Sequence, residues 1–254
     1  MINNLIFLNQ EDLSKSVYRV FSYTRLLEIF EEKKLTLVNP QKWDDPFENF
    51  ILKSIGELPD GREFTIASRE NYFGQCWSLT KESDAMWRIY SPDKSGVKIR
   101  TTIEKLFNPL YSSVPRHQSF KGEYNLYTFI GKVKYSSTNK LIEMLNDKDG
   151  MSSKLFDQSG KGQASTFFYK RWAFRHENEI RLIYNATENK NNSDLFKFEI
   201  NPNELIDEIV FDPRIDNRLF EVYKEHLRII GFKGKIIKSG LYSIKQLKFK
   251  VNGI

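Results

Sequence analysis

The sequence predicts an α+β fold with a mixed, strongly bent sheet and flanking helices. Short β-prone runs alternate irregularly with amphipathic stretches, which favours this class over a regular βαβ repeat. A hydrophobic content of 40%, with 20 Phe and 12 Tyr, is enough for a large core. No repeat and no long linker divides the 254 residues. We therefore expect a single elaborated domain over residues 1–254, with a core at 15–200 and a basic extension at 201–254.

The predicted elements follow from two periodicities. Alternation or a short apolar run indicates a strand, and apolar residues three and four apart indicate a helix. Helices are predicted at 24–35, at 83–91 with Ser83 as N-cap, at 140–145 and at 216–231. Strands are predicted at 16–22, 35–38, 73–80, 96–102, 127–135, 180–184, 195–200 and 207–211, with two more near the end of the chain. The polar, glycine-bearing stretch 147–165 is predicted to be a mobile loop that closes over a ligand.

Cysteine usage and the first residues exclude several classes of protein. Cys76 is the one cysteine, so the sequence has no disulfide framework and no Cys-rich zinc site. We interpret Cys76 as a small core residue and not as a nucleophile. The opening MINNLIFLNQ is not typical of an export signal, and no apolar run reaches the ~18 residues of a membrane span. A cytoplasmic protein without a membrane partner is expected.

The net charge of +6 is concentrated near the end of the chain. Residues 228–254 carry seven Lys or Arg and no acid. Such a region can bind a nucleic acid or another polyanion. It can equally be the solvent face of terminal strands, on which lysines discourage edge-to-edge pairing. The second interpretation is favoured because no aromatic and glycine signature of RNA binding accompanies the charges.

Acidic residues occur in two places that suggest chemistry. Glu177 and Glu179 precede an apolar strand, and alternation puts them on one face with Arg181. This face is either a solvated strand edge or one wall of a site. The turn with Asp44, Asp45 and Glu48 could hold a divalent cation, although its carboxylates would equally accept backbone N–H bonds. The three histidines are far apart, and we expect no metal.

Five blocks of the sequence together resemble an uncharacterised bacterial family of unknown function, number 2971. They are YRVF, NPQKWDDPFE, CWSL with AMWRIYS and GVKI, KRW with EIRLI, and DEIVFDPR. The turn with DPFE and the block that joins Trp172 to Arg181 are the most specific. The resemblance spans nearly the whole chain, but the family brings no activity with it.

The layout is also similar, more distantly, to the R-S-E layout of ADP-ribosyltransferases. A strand with Arg19, a later strand with Ser78 and a strand entered through Glu177 and Glu179 follow one another in that order. The resemblance implies a split sheet and NAD as substrate. It implies that Glu179 stabilises the charge that builds on the ribose, and that Glu177 orients or deprotonates an acceptor.

The same resemblance assigns the remaining contacts with the dinucleotide. Arg19 would bind its phosphates or a ribose, although Arg25 is close in sequence, and Ser78 would orient the nicotinamide ribose. Trp87 or Tyr90 would stack on the nicotinamide. The sequence departs from the family at Ser78, since Cys-Trp-Ser stands where Ser-Thr-Ser is frequent.

Three hypotheses of function follow. The first is an enzyme that transfers ADP-ribose from NAD to a nucleic acid or a protein, as a bacterial toxin or an anti-phage effector, with a possible antitoxin or defence-system partner. The second is a binding module that keeps this fold without the chemistry. The third is a metal-dependent nuclease built on the acidic turn.

Overall fold

The computed structural model describes residues 2–43, 45, 47–48, 50–115, 117–119, 122–187, 193–244 and 246–250. Within these residues the strands are β1 (Leu5–Ile6), β2 (Ser16–Phe21), β3 (Lys34–Val38), β4 (Ile55–Glu57), β5 (Glu63–Thr65), β6 (Tyr72–Ser78), β7 (Val97–Thr102), β8 (His117–Ser119), β9 (Gly122–Tyr124), β10 (Thr128–Lys132), β11 (Lys134–Ser136), β12 (Tyr169–Arg171), β13 (Glu179–Asn185), β14 (Leu195–Glu199), β15 (Glu208–Phe211) and β16 (Lys235–Lys238).

The α-helices of the same part of the chain are α1 (Tyr23–Glu32), α2 (Phe50–Lys53), α3 (Asp84–Tyr90), α4 (Ile103–Ser113), α5 (Thr138–Asn146), α6 (Lys148–Leu155), α7 (Lys161–Ser165), α8 (Pro202–Leu205) and α9 (Asn217–Ile229). Side-chain caps fix several of their starts. Ser22 accepts the Arg25 N–H at the start of α1. Ser83 accepts the Met86 N–H at the start of α3, which confirms the predicted cap.

The main sheet follows the order β1-β10-β13-β6-β2-β7-β15-β16, and β3 branches from β6 and pairs with β14. β1 pairs with β10 and β15 pairs with β16 in parallel, whereas the other pairs of this sheet are antiparallel. The predicted α+β class with a mixed sheet is confirmed. The pairs β4–β5, β8–β9 and β11–β12 form separate two-stranded ribbons.

β6 is the strand at which the sheet divides. It pairs with β2 through Tyr18 and Ser78, close to its C-terminal end, and with β3 through Val38 and Gly74, closer to its N-terminal end. Two different strands thus share one edge of β6. Two strands cannot both pair along the whole of the same edge of β6, so β2 and β3 diverge from one another beside this strand.

Apolar residues pack on both faces of β13. Ile180, Leu182 and Tyr184 belong to the larger core, which α4 and α9 also line. Ile183 points to the other face and packs with Phe167 and Phe168. Each buried Leu or Ile side chain stabilises the fold by about 1.5–3 kcal/mol relative to an exposed one. This alternation fixes the register of β13 and therefore the face that Glu179 occupies.

Most predicted elements lie where the sequence pattern indicates, but helix α4 was not predicted. It contains Pro109, which is a helix breaker in an isolated sequence. Burial of Leu106, Phe107 and Leu110 in the larger core stabilises the helix in spite of this proline.

The prediction of a mobile loop at 147–165 is wrong. Most of this stretch forms α6 and α7, joined by a short turn. Asp147 caps α6 by accepting the Gly150 N–H, and the Asp157 carboxylate accepts the Gly162 N–H at 2.6 Å. Met151 and Ala164 are buried. Local capping and two apolar anchors therefore order a segment whose composition is typical of a loop.

The end of the chain also differs from the prediction. β16 forms the outer strand beside β15, and its lysines lie on an edge. The second predicted strand is absent from residues 239–244 and 246–250, where the structure has no strand. Ile244, Leu247 and Phe249 are exposed there.

In the described part of the chain, none of the helices combines the length and the apolar composition that crossing a lipid bilayer requires.

Candidate functional site

Three neighbouring strands carry the candidate site. In the register of the main sheet, Ser78 of β6 lies between Tyr18 of β2 and Glu179 of β13. Tyr18 and Ser78 are also the residue pair at which β2 and β6 separate. The site therefore lies where the sheet divides, next to the first residue of β13.

A cavity of about 360 Å³ opens at this point. It is lined by residues of β2, the end of β6, α3 and the turn that leads into β13. Among the lining residues are five that the sequence predicted for a site, which are Arg19, Ser78, Tyr90, Glu177 and Glu179. The structure thus brings these five together, although they span 161 residues of the chain from Arg19 to Glu179.

Arg19 has a guanidinium group that no described carboxylate neutralises. It forms no ion pair with any residue in the described part of the chain, and its Cζ lies 5.8 Å from the centre of the Phe21 ring. Burial lowers the pKa of Arg19, which is the mark of a desolvated cation. Arg25, the alternative in the sequence, is exposed on α1 and pairs with Glu28 at 2.6 Å. Arg19 and not Arg25 therefore faces the cavity.

The Ser78 hydroxyl is already engaged in two hydrogen bonds. It donates to the Glu177 carbonyl oxygen at 2.6 Å and accepts the Thr80 N–H at 3.0 Å. These bonds hold the backbone of Glu177 against the end of β6. The observed contact of Ser78 is with the protein, and its predicted contact with a ribose stays a prediction.

Glu177 and Glu179 do not share a strand face in the way that the sequence suggested. Glu177 ends a 3₁₀ turn, Asn178 has a left-handed φ of 44°, and β13 begins at Glu179. Both glutamates are buried, as is Arg181. The interpretation of these residues as a solvated strand edge is therefore wrong.

Buried charges surround the two glutamates. The Lys170 Nζ lies 2.6 Å from Glu177 Oε2, 2.6 Å from Glu179 Oε1 and 2.8 Å from Glu48 Oε1. Arg181 donates through Nε to Glu179 Oε2 at 2.6 Å and through Nη2 to Glu48 Oε1 at 2.7 Å. We call these five residues, Glu48, Lys170, Glu177, Glu179 and Arg181, the charge cluster.

The charge cluster has two cations and three carboxyl groups, so it is neutral only when one carboxyl group is protonated. Burial and, after it, the adjacent Glu179 raise the pKa of Glu177 to about 8 against the opposing effect of Lys170. Burial acts in the same sense on Glu179, but the Arg181 guanidinium and Lys170 outweigh it and hold the pKa of Glu179 well below its usual range. Near neutral pH, Glu177 is therefore the protonated member and Glu179 the ionised one.

The two aromatic residues proposed for stacking have different positions. Tyr90 lines the cavity and is partly exposed, and burial raises the pKa of its hydroxyl to about 12, so it stays neutral. Trp87 is 1% exposed, packs against Val20 and donates its indole N–H to Glu82 at 3.0 Å. The structure corrects the expectation for Trp87, because α3 turns this ring into the core and away from the cavity.

Sequence reasoning missed other residues of the cavity wall. Tyr18, Met86 and Cys76 line it, and the pattern of the sequence gave no sign of this for any of them. The Cys76 thiol lies at the wall, but burial raises its pKa well above the usual value. A neutral thiol is a poor nucleophile, which agrees with the interpretation of Cys76 as a non-catalytic residue.

The acidic turn does not offer its carboxylates freely to a cation. Asp44 lies outside the described residues. Asp45 Oδ1 accepts from Arg171 at 2.6 Å, and Glu48 belongs to the charge cluster. Among the described residues no group of three or more His, Cys, Asp or Glu is arranged to hold a metal ion. Since cations of the protein already bind Asp45 and Glu48, the turn gives no support to a nuclease.

The comparisons with known proteins give a family match for part of the chain. The model of the family described as "Protein of unknown function (DUF2971)" matches residues 86–182, which is less than half of the chain. The resemblance to this family inferred from the sequence blocks is confirmed over that range. No curated protein matches the sequence.

Among the solved structures to which the chain is similar are three complexes of DarT from Thermus sp. 2.9. The complex with NAD⁺ has 12% sequence identity and a TM-score of 0.38, and the match covers 89% of this chain and 96% of that one. The complex with ADP-ribosylated ssDNA has 12% identity and a TM-score of 0.39, with 89% and 94% covered. The complex with carba-NAD⁺ has 13% identity and a TM-score of 0.36, with 89% and 96% covered.

Proposed function

We propose that this chain is an ADP-ribosyltransferase that cleaves NAD and transfers ADP-ribose to a macromolecule. The observation that supports it best is the distribution of charge around one cavity. The guanidinium of Arg19, which pairs with no carboxylate among the described residues, lies at the wall together with two buried carboxyl groups, Glu177 and Glu179. A dinucleotide has the matching chemistry, because it carries anionic phosphates and a ribose that becomes positive during cleavage.

Arg19 is the group assigned to the phosphates. A desolvated cation without a carboxylate partner binds an anion strongly, and its forked donors fit phosphate oxygens. The cavity volume of about 360 Å³ lies within the range of small-molecule sites, so it can enclose part of a dinucleotide. Tyr90 is the aromatic residue available to stack on the nicotinamide.

Glu179 is the carboxylate assigned to the ribose. It is ionised near neutral pH, and Arg181 and Lys170 hold both of its oxygens in place. Because this carboxylate is already fixed, no free energy is spent on reorienting it when positive charge builds on the ribose. Breaking the bond between nicotinamide and ribose releases nicotinamide with the bonding electron pair.

Glu177 is the residue assigned to the acceptor. The acceptor oxygen or nitrogen forms the new bond to the ribose and loses its proton, and the Glu177 carboxylate takes that proton. With a pKa of about 8, Glu177 acts as a base in its ionised fraction, which grows as the pH rises. Activity as a toxin or an anti-phage effector, with a nucleic acid or a protein as acceptor, belongs to the same proposal.

A second function is favoured by one observation. The Ser78 hydroxyl and both Glu179 oxygens already bind protein groups, so the chain could be a binding module that keeps the fold without the chemistry. Such a module would bind NAD or an oligonucleotide and leave it intact.

A thermal-shift titration with NAD, followed by an assay for released nicotinamide, tests the proposal. A ligand at 100 times its dissociation constant stabilises the folded form by about 2.7 kcal/mol. We expect this shift for the wild type and for Arg25→Ala, and its loss in Arg19→Ala. Arg25 is the matched control because it is an exposed arginine six residues away, outside the cavity lining. Stabilisation by an oligonucleotide without any by NAD, and no nicotinamide release, would favour the binding module.

A further inference from the structure

We propose that Lys170 is a positioning residue of the candidate site, because its ammonium group bridges Glu177 and Glu179 and fixes their separation. This inference rests on the proposed function for its catalytic meaning. The geometry on which it stands is independent of that function. Nothing in the sequence pattern assigned a role to Lys170.

The side chains around Lys170 hold its ammonium group in a single position. Three carboxylates lie within 2.8 Å of Nζ, and they match in number the three protons of an ammonium group. The ring of Phe174 lies on another side, with its centre 4.6 Å from Nζ. The side chain is 7% exposed. A buried cation with this many partners is held rigidly and holds its partners in turn.

Glu177 depends on Lys170 more than Glu179 does. The Glu179 carboxylate is also bound by Arg181, whereas Lys170 is the one cation that pairs with Glu177 among the described residues. Lys170 comes from β12, which belongs to a two-stranded ribbon outside the main sheet. Its ammonium group therefore connects this ribbon to the start of β13 through the carboxylates.

Removing the ammonium group has a predictable consequence for the pair. Two carboxyl groups would then face each other with Arg181 alone as counter-charge, and that cation contacts Glu179 and Glu48. The Glu177 carboxyl would hold its proton more tightly and lose its fixed direction. The remaining groups that act on Glu177 and its neighbours are Glu48, Cys76, Tyr90, Tyr135, Glu179 and Arg181.

The test compares Lys170→Met with Lys98→Met. Lys98 is also a buried lysine, paired with Glu82 at 3.1 Å and lying 5.6 Å from the centre of the Trp87 ring, but it does not line the cavity. Both variants lose stability. The first readout is the titration of Glu177 in free protein, followed by ¹³C NMR on glutamate labelled at the side-chain carboxyl carbon, with Glu177→Gln to assign the signal. We expect the midpoint to rise by about one pH unit or more in Lys170→Met and to stay unchanged in Lys98→Met.

The second readout is activity. Lys170→Met should lower transfer to the acceptor by about 10²-fold and lower NAD hydrolysis less, because Glu177 loses its position while Glu179 keeps Arg181. Lys98→Met should leave the ratio of transfer to hydrolysis unchanged. A folded Lys170→Met protein with the wild-type titration midpoint and the wild-type ratio overturns the proposal.

Glu48→Gln keeps the proposal testable if Lys170→Met does not fold. It removes a negative charge that competes with Glu177 and Glu179 for Lys170, so the Glu177 midpoint should fall. An unchanged midpoint in Glu48→Gln contradicts the bridging role. If the variants show the expected titration shifts but the wild type cleaves no NAD, the positioning of the pair stands and the proposed function fails.

Discussion

Replacement of Glu179 by Gln gives the most direct test of the chemistry assigned to the cavity. The substitution keeps the shape of the side chain and removes the charge that Arg181 and Lys170 hold in place. Loss of one fixed group that stabilises transition-state charge costs about 10²–10³ in rate, or about 2.7–4 kcal/mol. We expect both NAD hydrolysis and transfer to fall by this factor. NAD binding should change little, because the proposed function assigns the contact with the phosphates to Arg19.

The same substitution has a cost in stability that must be separated from the cost in rate. Glu179 is 3% exposed, and breaking a buried ion pair from one side costs about 3–5 kcal/mol. Glu82→Gln is the matched control, since the Glu82 carboxylate accepts from Trp87, Lys98 and Ser239 but does not line the cavity. It should lose stability and keep activity.

The assay measures nicotinamide release with NAD alone and with acceptor, at a temperature at which every variant is folded. Glu177→Gln serves as the companion variant, and it should impair transfer more than hydrolysis, because water needs less positioning than a macromolecular acceptor. If folded Glu179→Gln protein retains hydrolysis within about threefold of the wild type, the assignment of Glu179 to the ribose is refuted.

Four further predictions follow from the site and its surroundings. Transfer should increase as the pH rises through about 8, where Glu177 becomes a base, and a pH–rate profile that is flat in the wild type would contradict this. Because the pKa of Glu177 is raised from 4.5 in the folded state, the stability difference between the wild type and Glu177→Gln should decline from about pH 4.5 to about pH 8, as measured by denaturant unfolding. Tyr90→Ala should weaken NAD binding in calorimetry, whereas Trp87→Phe should lower the melting temperature and leave NAD affinity unchanged. Amide exchange in the helical parts of 147–165 should be slow without NAD, and fast exchange there would contradict the ordering by the hydrogen bonds that Asp147 and Asp157 accept.

The sequence predicted the strands well because their apolar residues alternate or run together. β2, β6 and β13 lie where the pattern placed them, since each buries one or both faces. Helix α4 was not predicted because Pro109 indicates a helix break when only its sequence neighbours are considered. The packing that stabilises the helix in spite of this proline involves residues that are distant in sequence. For 147–165, the composition indicated a loop. The segment is instead ordered by single hydrogen bonds to side chains, which composition does not reveal.

The candidate site was predictable in part for a similar reason. The order of Arg19, Ser78 and Glu179 could be recognised from the sequence, because a resemblance in layout depends only on the order of residues along the chain. The burial of Glu177, Glu179 and Arg181 could not be read, since charged residues in a strand are ordinarily exposed. Their burial depends on Lys170 and Glu48, which reach the site from other elements, and nothing local in the sequence joins them.

The charged groups around the cavity differ in how far neighbouring side chains already neutralise them. Lys170 and Arg181 are each bound to carboxyl groups of the charge cluster, so these two cations have little left to offer an incoming anion. Arg19 is the opposite case, because burial disfavours its charge and no described group compensates it. An anionic ligand would supply that compensation, so the proposed function assigns affinity to Arg19. The charge cluster instead holds one ionised and one protonated carboxyl group side by side. In this state one group can stabilise positive charge while its neighbour exchanges a proton. Affinity and chemistry are thereby assigned to different strands, β2 and β13, with Ser78 of β6 hydrogen-bonded between them to the backbone of Glu177.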